Sequence, residues 1–526
     1  MNSQKSSLSD SIPMKIKLSI AILYFCASIS IISNSVFEEA ASRLKNNIRK
    51  VRFENGLTLL MLKRTTSPTL ALYTKFKVGS ADETPEIAGT AHLLEHMLFK
   101  GTENIGTSDF KSERKYYTLM KFTGSELDSL KLEKRAYAEK GKEVPAELEK
   151  RIGVLTRRLK TIEEAEKKYI ISSEDSFIYE QNGQAGFNAY TSHDVTNYQI
   201  KLPSNRLELW AKMESDRLKN PILREYFTER DVIMEERRMR VENRGFGILR
   251  EKYLAAAFEQ SPYRRPVIGY ESNIPFLNIY ETENFFRTYY SPDNMVIGLV
   301  GDLDFEEAES VIKKYFGDLK PSGNRRKELR VKERFNMGER RVSFKYTGGS
   351  TLIMGWNKPS FPHIEHSAFE LMDAILTKGA ESRLYKSAVL REKIASGVSV
   401  WASDPGERYS NLFSVIANLN SDADPARMEA LVWEEIEKLK NGEITEEEIQ
   451  KAKNKVTADF LRDVDSNASL ADGLTYYELI GGNWEEMFLI YDRFNNVKKE
   501  DIQRIAKKYL VKENMTVGFL DARGTK

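Results

Sequence analysis

The chemistry of this chain concentrates in His92-Leu93-Leu94-Glu95-His96. On a helix, residues four apart share a face, so His92 and His96 point to the same side. Two neutral imidazoles placed in this way can hold one zinc ion. Glu95, three residues after His92, can take the proton of a water activated by that ion, because the metal brings the water's pKa down towards ~7. Leu93, Leu94, Met97 and Leu98 are candidates for the buried side of the same helix. Coincidence is a poor explanation. With only 5 histidines in 526 residues, and all 78 acidic residues allowed, a chain of this composition yields about 0.007 such motifs.

A hydrolytic zinc site needs a third protein ligand and an open position. The candidate segment is FTERDVIMEERRMRVEN. Glu235 and Glu236 are neighbours and diverge on a helix, whereas Glu229 precedes Glu236 by two turns and shares its face. Spacing alone leaves these acids open between a ligand set and a solvated charged face.

The elements that must position these residues belong to a long soluble chain. At roughly 150 residues per domain, 526 residues make two to four domains. Hydrophobic residues are 41% and charged residues 30%, which excludes a disordered polymer and a multi-span membrane protein. The balance of 80 Lys+Arg against 78 Asp+Glu gives a net charge of +2, without the basic excess of a nucleic-acid binder. Cys26 stands alone, so no intramolecular disulfide can form. Leu18 to Ile32 carries no charge, follows Lys15 and Lys17, and precedes Ser33 and Ser35, the layout of a signal peptide spanning residues 1–35. The expected location is secreted or periplasmic. A membrane anchor is disfavoured because the run falls short of ~20 residues. A lipoprotein is disfavoured because bulky Tyr24 and Phe25 precede Cys26.

Two segments match at a distance. Asn294-Met295-Val296-Ile297-Gly298 and Asn514-Met515-Thr516-Val517-Gly518 each follow an amphipathic helical stretch and each read as a short buried strand. This points to a tandem duplication. With VRFENGLTLLMLKR and LALYTKFKVGS reading as strands around turn residues, the expected fold class is α+β. The expected architecture is two tandem homologous domains, each a mostly antiparallel sheet covered by helices. The boundaries are 36–320 for the first domain, 321–341 for a charged linker and 342–526 for a second, non-catalytic domain. Residues 109–172 are expected to be an inserted helical hairpin. Leu148, Ile152, Leu155, Leu159 and Ile162 give it a heptad seam, Leu127, Leu130, Lys134 and Tyr137 a weaker one, and Gly141 to Pro145 the turn. Its expected role is a solvated spacer.

The order His-x-x-Glu-His is that of the inverzincins. The blocks HLLEHMLFKGT, GFNAYTSHDVTNYQ, LELWAKMESDRLKNP and ERDVIMEERRMR resemble, in order and across nearly the whole mature chain, the pitrilysin and insulinase family of zinc metallopeptidases. The resemblance is strongest to small bacterial members related to mitochondrial processing peptidase. The family's third ligand is a glutamate about 75 residues beyond the histidine motif; removing the hairpin puts Glu236 about 76 residues from His96. The resemblance therefore implies one zinc per chain held by His92, His96 and Glu236, with Glu95 as base and Glu229 as a supporting acid. It implies that Asn188 helps hold the substrate backbone beside an edge strand, a mode tolerant of sequence. It assigns Arg391 to a substrate-binding Arg/Tyr pair, but IASGVSVWAS holds no tyrosine. The expected partners are peptide substrates and a second chain, in a homodimer or in a heterodimer whose homologous subunit supplies the Arg/Tyr pair; nucleic acid is not expected. His193 is expected to be structural or exposed, and His363 and His366 to lack a third ligand. The alternative is a non-proteolytic binding or assembly subunit with a structural or vestigial metal site.

Overall fold

Runs of apolar residues such as TLLMLK and MVIGLVG suit strands covered on both faces, and they lie at the centre of a sheet. The computed structural model describes residues 41–523 apart from 324, 325, 327, 328, 331 and 336. The signal peptide expected over residues 1–35 lies outside the described residues. No helix among the described residues is long and apolar enough to cross a membrane.

The fold is α+β with two sheets. The first contains β1 (Ile48–Arg52), β2 (Thr58–Lys63), β3 (Thr69–Phe76), β4 (Ala185–Thr191), β5 (Thr196–Pro203) and β6 (Met295–Gly301), in the order β1-β2-β6-β3-β5-β4. The second contains β7 (Arg340–Lys345), β8 (Thr351–Lys358), β9 (Ala395–Asp404), β10 (Asn411–Leu419) and β11 (Met515–Asp521), in the order β7-β11-β8-β10-β9. Without β1 the two orders correspond strand for strand. Each sheet has one parallel pair, β2–β6 and β7–β11, and is otherwise antiparallel.

The helices that matter for the site and its frame are α1 (Thr90–Met97), α2 (Phe110–Glu139), α3 (Ala146–Glu166), α4 (Tyr226–Arg237), α5 (Gly245–Ala257), α6 (Ile279–Tyr289), α7 (His366–Thr377), α8 (Asn467–Ile480) and α9 (Lys499–Tyr509). The duplicated asparagines repeat one construction. Asn294 Nδ2 donates to Tyr289 O at the end of α6 and to Lys77 O just beyond β3, at 2.9 and 3.2 Å. Asn514 Nδ2 donates to Tyr509 O at the end of α9 and to Asn357 O on β8, at 2.9 and 2.8 Å.

The halves exchange helices. α5, from the first half, packs on the second sheet, with Leu249, Tyr253 and Leu254 against Ile353, Leu412, Ile416 and Leu520. α8, from the second half, packs on the first sheet, with Leu470, Ala471 and Leu474 in one apolar cluster with Leu60, Leu62, Tyr73 and Val296. The glycine shared by the two repeats is the space these helices use. A Cβ on Gly298 would stand 2.6 Å from Thr475 Cγ2, and one on Gly518 3.1 Å from Leu249 Cδ1.

The hairpin exists, as α2 and α3. Leu148, Leu155, Leu159 and Ile162 are buried and Ile152 partly so. Lys134, half-buried, faces the other helix and pairs with Glu149 across the hairpin at 2.7 Å. The solvated spacer expected of residues 109–172 is corrected. Glu113 of α2 is fully buried against the equally buried Arg224, with Oε1 2.6 Å from Nε. Asp128 of α2 takes two hydrogen bonds from Arg230 of α4, at 2.7 and 3.1 Å. Charges with no access to water persist only when paired, so the hairpin is docked on α4 and its approach.

Candidate active site

α1 begins after Gly89, whose φ of 102° is open to glycine and strained for other residues. The buried Glu83 carboxylate accepts from the N–H groups of Gly89 and Ala91 at 2.9 and 2.7 Å, filling donors that a helix start leaves unpaired. Leu93, Leu94 and Met97 are fully buried and fix the rotation of the helix. That rotation turns His92 and His96 towards α4 and Glu95 towards Thr191 of β4. α4 is anchored by buried Tyr226 and Ile233, and it presents Glu229 and Glu236 from one face. Glu235 points away, more than half exposed, and pairs with Arg238 at 2.9 Å.

Three donor atoms converge. His92 Nε2 is 3.7 Å and His96 Nε2 3.6 Å from Glu236 Oε2. These separations are too long for hydrogen bonds and suit atoms that share one ion at ~2.0–2.2 Å each. Glu236 Oε2 is buried without a hydrogen-bond partner among the described residues, while Oε1 is held by Arg240 at 2.8 Å. Burial, then the charges of His96 and Arg240, pull the His92 imidazole down to about 3, so it is neutral, as a metal ligand must be. The residues therefore fit a zinc ion in donor type and spacing.

Glu229 does not reach the three donors. Its Oε1 accepts from His96 Nδ1 at 2.9 Å and its Oε2 lies 2.7 Å from Lys100 Nζ. Burial alone would raise the Glu229 carboxyl, but the hydrogen bonds from His96 and Lys100 bring it down to about 2. With Nδ1 engaged by Glu229, His96 turns Nε2 to the point it shares with His92 and Glu236. Glu95 accepts from Thr191 Oγ1 at 2.5 Å, and burial pushes its carboxyl up.

Asn188 is exposed on β4, the outermost strand of the first sheet. It lines a cavity of 440 Å³ with Glu95, His96, Phe99 and Glu229. Arg391 stands apart from this constellation, exposed on the second half with Glu392 at 3.9 Å. His193 is buried, its Nε2 3.1 Å from Arg265 O, with burial drawing it down to about 4. Sequence reasoning passed over Lys100, Thr191 and Arg240. Lys100 and Arg240 each stand four residues beyond a ligand candidate, a spacing that carried the signal; Thr191 reaches Glu95 from another element and carried none.

The chain is similar to known proteases and peptidases over most of its length. A family model described as insulinase (peptidase family M16) matches residues 59–127, and one described as the peptidase M16 inactive domain matches residues 277–456. The chain is 25% identical over 479 residues to the zinc protease PqqE of Helicobacter pylori, covering 89% of this chain and 92% of that protein. It is 21% identical over 482 residues to a probable mitochondrial-processing peptidase subunit beta of Arabidopsis thaliana, covering 90% and 78%. The solved structure of a protease from Helicobacter pylori superposes with a TM-score of 0.74 at 24% identity, over 90% of this chain and 99% of that one.

Proposed function

We propose, from the premise that this chain belongs to the insulinase (M16) peptidase family, that it is a zinc-dependent endopeptidase acting on peptides or unfolded segments outside the cytoplasm. The observation that carries the reading is the convergence of His92 Nε2, His96 Nε2 and Glu236 Oε2 beside Glu95. His92, His96 and Glu236 would hold the ion. When bound, zinc supplies Lewis acidity, which makes water a usable nucleophile near neutral pH and polarises the scissile carbonyl.

The chain's own residues do the remaining work. Glu95 is the general base: it takes a proton from the attacking water and later gives it to the leaving amine. A carboxyl raised by burial is a stronger base than an ordinary one, which suits it to taking the proton of water. Thr191 fixes the Glu95 carboxylate. Glu229 is a positioning residue, acting through His96. The free edge of β4, with Asn188 on it, would take the substrate as an added strand, reading main-chain groups. The export reading rests on the Leu18 to Ile32 segment.

The reading extends to a second subunit. Arg391 is exposed and no tyrosine occurs from residue 394 to 403. A homologous chain supplying an Arg/Tyr pair would complete substrate binding. Added to this chain, such a subunit raises turnover on unstructured peptides; full turnover by the pure chain rules the requirement out.

The deciding experiment is hydrolysis of quenched unstructured peptides by the mature chain, with Glu95→Gln alongside. A general base is worth ~10²–10⁴ in rate, so the variant should lose at least ~100-fold while keeping its zinc. Equal hydrolysis by a zinc-loaded Glu95→Gln chain removes Glu95 from the mechanism. A binding subunit would instead show the same partner affinity with zinc stripped and Glu95 replaced.

A further inference from the structure

We infer that the second half binds a divalent metal ion of its own, through His366, Glu370 and Glu407. His366 opens α7 and Glu370 lies one turn later on the same face. Glu407 comes from the turn between β9 and β10. His366 Nε2 is 3.8 Å from Glu370 Oε1 and 3.9 Å from Glu407 Oε1, and the three donor atoms all lie within 4.8 Å of one another. The spacing is that of the first site, 3.6 and 3.7 Å between imidazole and carboxylate. In both places the atoms are too far apart to hydrogen-bond and close enough to share an ion.

The imidazole supplies a second, independent indication. His366 is 4% exposed, and its Nδ1 has no hydrogen-bond partner among the described residues. Its Nε2 faces the two carboxylates.

Among the described residues neither carboxylate forms an ion pair with a lysine or arginine, although the charge of Lys358 acts on both and that of Lys378 on Glu370. Glu407 Oε2 accepts from Tyr476 Oη at 2.9 Å, which satisfies one oxygen without balancing the charge. The nearest buried cation, Lys358, is fully enclosed, yet its Nζ reaches Ser403 Oγ at 3.2 Å and Pro359 O at 3.5 Å and forms no ion pair among the described residues. Two part-buried carboxylates and a buried imidazole whose donor atoms converge in this way make a donor set for a divalent cation. One nitrogen and two oxygens, with no thiolate, suit zinc or manganese.

The site would be structural. The N–H groups of Glu407 and Arg408 donate to Asp194 of the first half at 2.7 and 3.1 Å. An ion on Glu407 would therefore tie α7 to the turn that joins the halves. The spacing of His363 and His366 pointed to a different pair. His363 is exposed and its Nδ1 accepts from the Glu365 N–H at 3.2 Å; the partners of His366 come from one turn on and from a distant loop.

The test is a metal count. The full chain and a His92→Ala/His96→Ala variant are loaded with Zn²⁺, and separately with Mn²⁺, desalted, and read by mass spectrometry. The expected result is two ions in the full chain and one in the variant, with the variant's midpoint temperature falling on chelation. An X-ray absorption spectrum of the ion left in the variant should show one imidazole and otherwise oxygen ligands. Adding Glu370→Gln and Glu407→Gln should take the count to zero. If the variant retains no ion, or if its ion shows two or more imidazoles, the site does not exist. Should the glutamine changes prevent folding, the count and the spectrum of the first variant decide alone. One ion in the full chain and one in the variant would support this site while counting against the first.

Discussion

At the scale of residues, the His96–Glu229 pair sets up two opposing pH effects. Burial pulls the His96 imidazole down, but the hydrogen bond and charge of Glu229, with Glu236 and Glu95 behind them, prevail and raise it above 6.5. In the metal-free chain this pairing stabilises fully below pH 6.5 and is lost as pH rises through the raised value. Glu229, held at about 2 against an ordinary 4.5, contributes fully above pH 4.5 and loses that contribution as pH falls towards 2. The stability difference between the stripped chain and stripped Glu229→Gln should therefore peak between pH 4.5 and 6.5, read as the difference in thermal midpoint. A flat difference from about pH 3 to about pH 9 excludes the ion pair. The metal behaves the other way, because its ligands must be deprotonated. At pH 8 or so, Glu229→Gln should bind zinc ~10–100-fold more weakly, since His96 loses its orienting partner. The motif of α1 was legible because a helix turns sequence spacing into a shared face. That Glu229 touches His96 and not the shared donor point was not legible, since it depends on how α1 and α4 are placed relative to each other.

At the scale of elements, the hairpin is the part of the sequence that misled. Its Lys/Glu-rich surface reads as solvated, and its seam residues account for its own two helices. The pairs that dock it join residues 111 and 102 positions apart, Glu113 with Arg224 and Asp128 with Arg230, and no local pattern announces them. Their energetics give a clear contrast. Removing one partner of a buried ion pair leaves a buried charge and costs ~3–5 kcal/mol. Glu113→Gln and Asp128→Asn should each lower stability by about that amount in denaturant unfolding. Lys134→Ala, at the half-exposed pair with Glu149, should change it by less than ~1 kcal/mol. Because α4 carries Glu229 and Glu236, the first two variants should also weaken zinc binding and the third should not. Equal effects from all three would return the hairpin to the role of a spacer. The strands were easier to read: β2, β6 and β8 are nearly continuous apolar runs, and the two NM-x-x-G segments fall on equivalent strands, β6 and β11, of equivalent sheets.

At the scale of the molecule, the duplication was legible and the helix exchange was not. The repeated glycine was visible in the sequence, but its reason lies in the other half. Gly298 gives room to α8 and Gly518 to α5, so each sheet is completed by a helix encoded on the far side of the linker. The polar contacts run the same way. Fully buried Lys75 on β3 reaches Asp472 of α8 at 2.6 Å, Tyr253 of α5 meets Ser414 of β10 at 2.9 Å, and Arg408 pairs with Asp82 at 2.8 Å. A chain built this way should not unfold in two steps, although it holds two sheets. Separating the halves would strip α5 from Ile353, Leu412, Ile416 and Leu520, and α8 from Leu60, Leu62 and Val296. Calorimetry of the metal-free protein should therefore show one transition whose calorimetric and van't Hoff enthalpies agree. Gly298→Val tests the coupling directly. Its side chain would collide with Thr475, and overpacking of this kind costs ~1–3 kcal/mol. If the halves are one cooperative unit, the whole transition moves to lower temperature. If they are independent, it splits, with the Ile353 and Leu412 sheet melting where it did before.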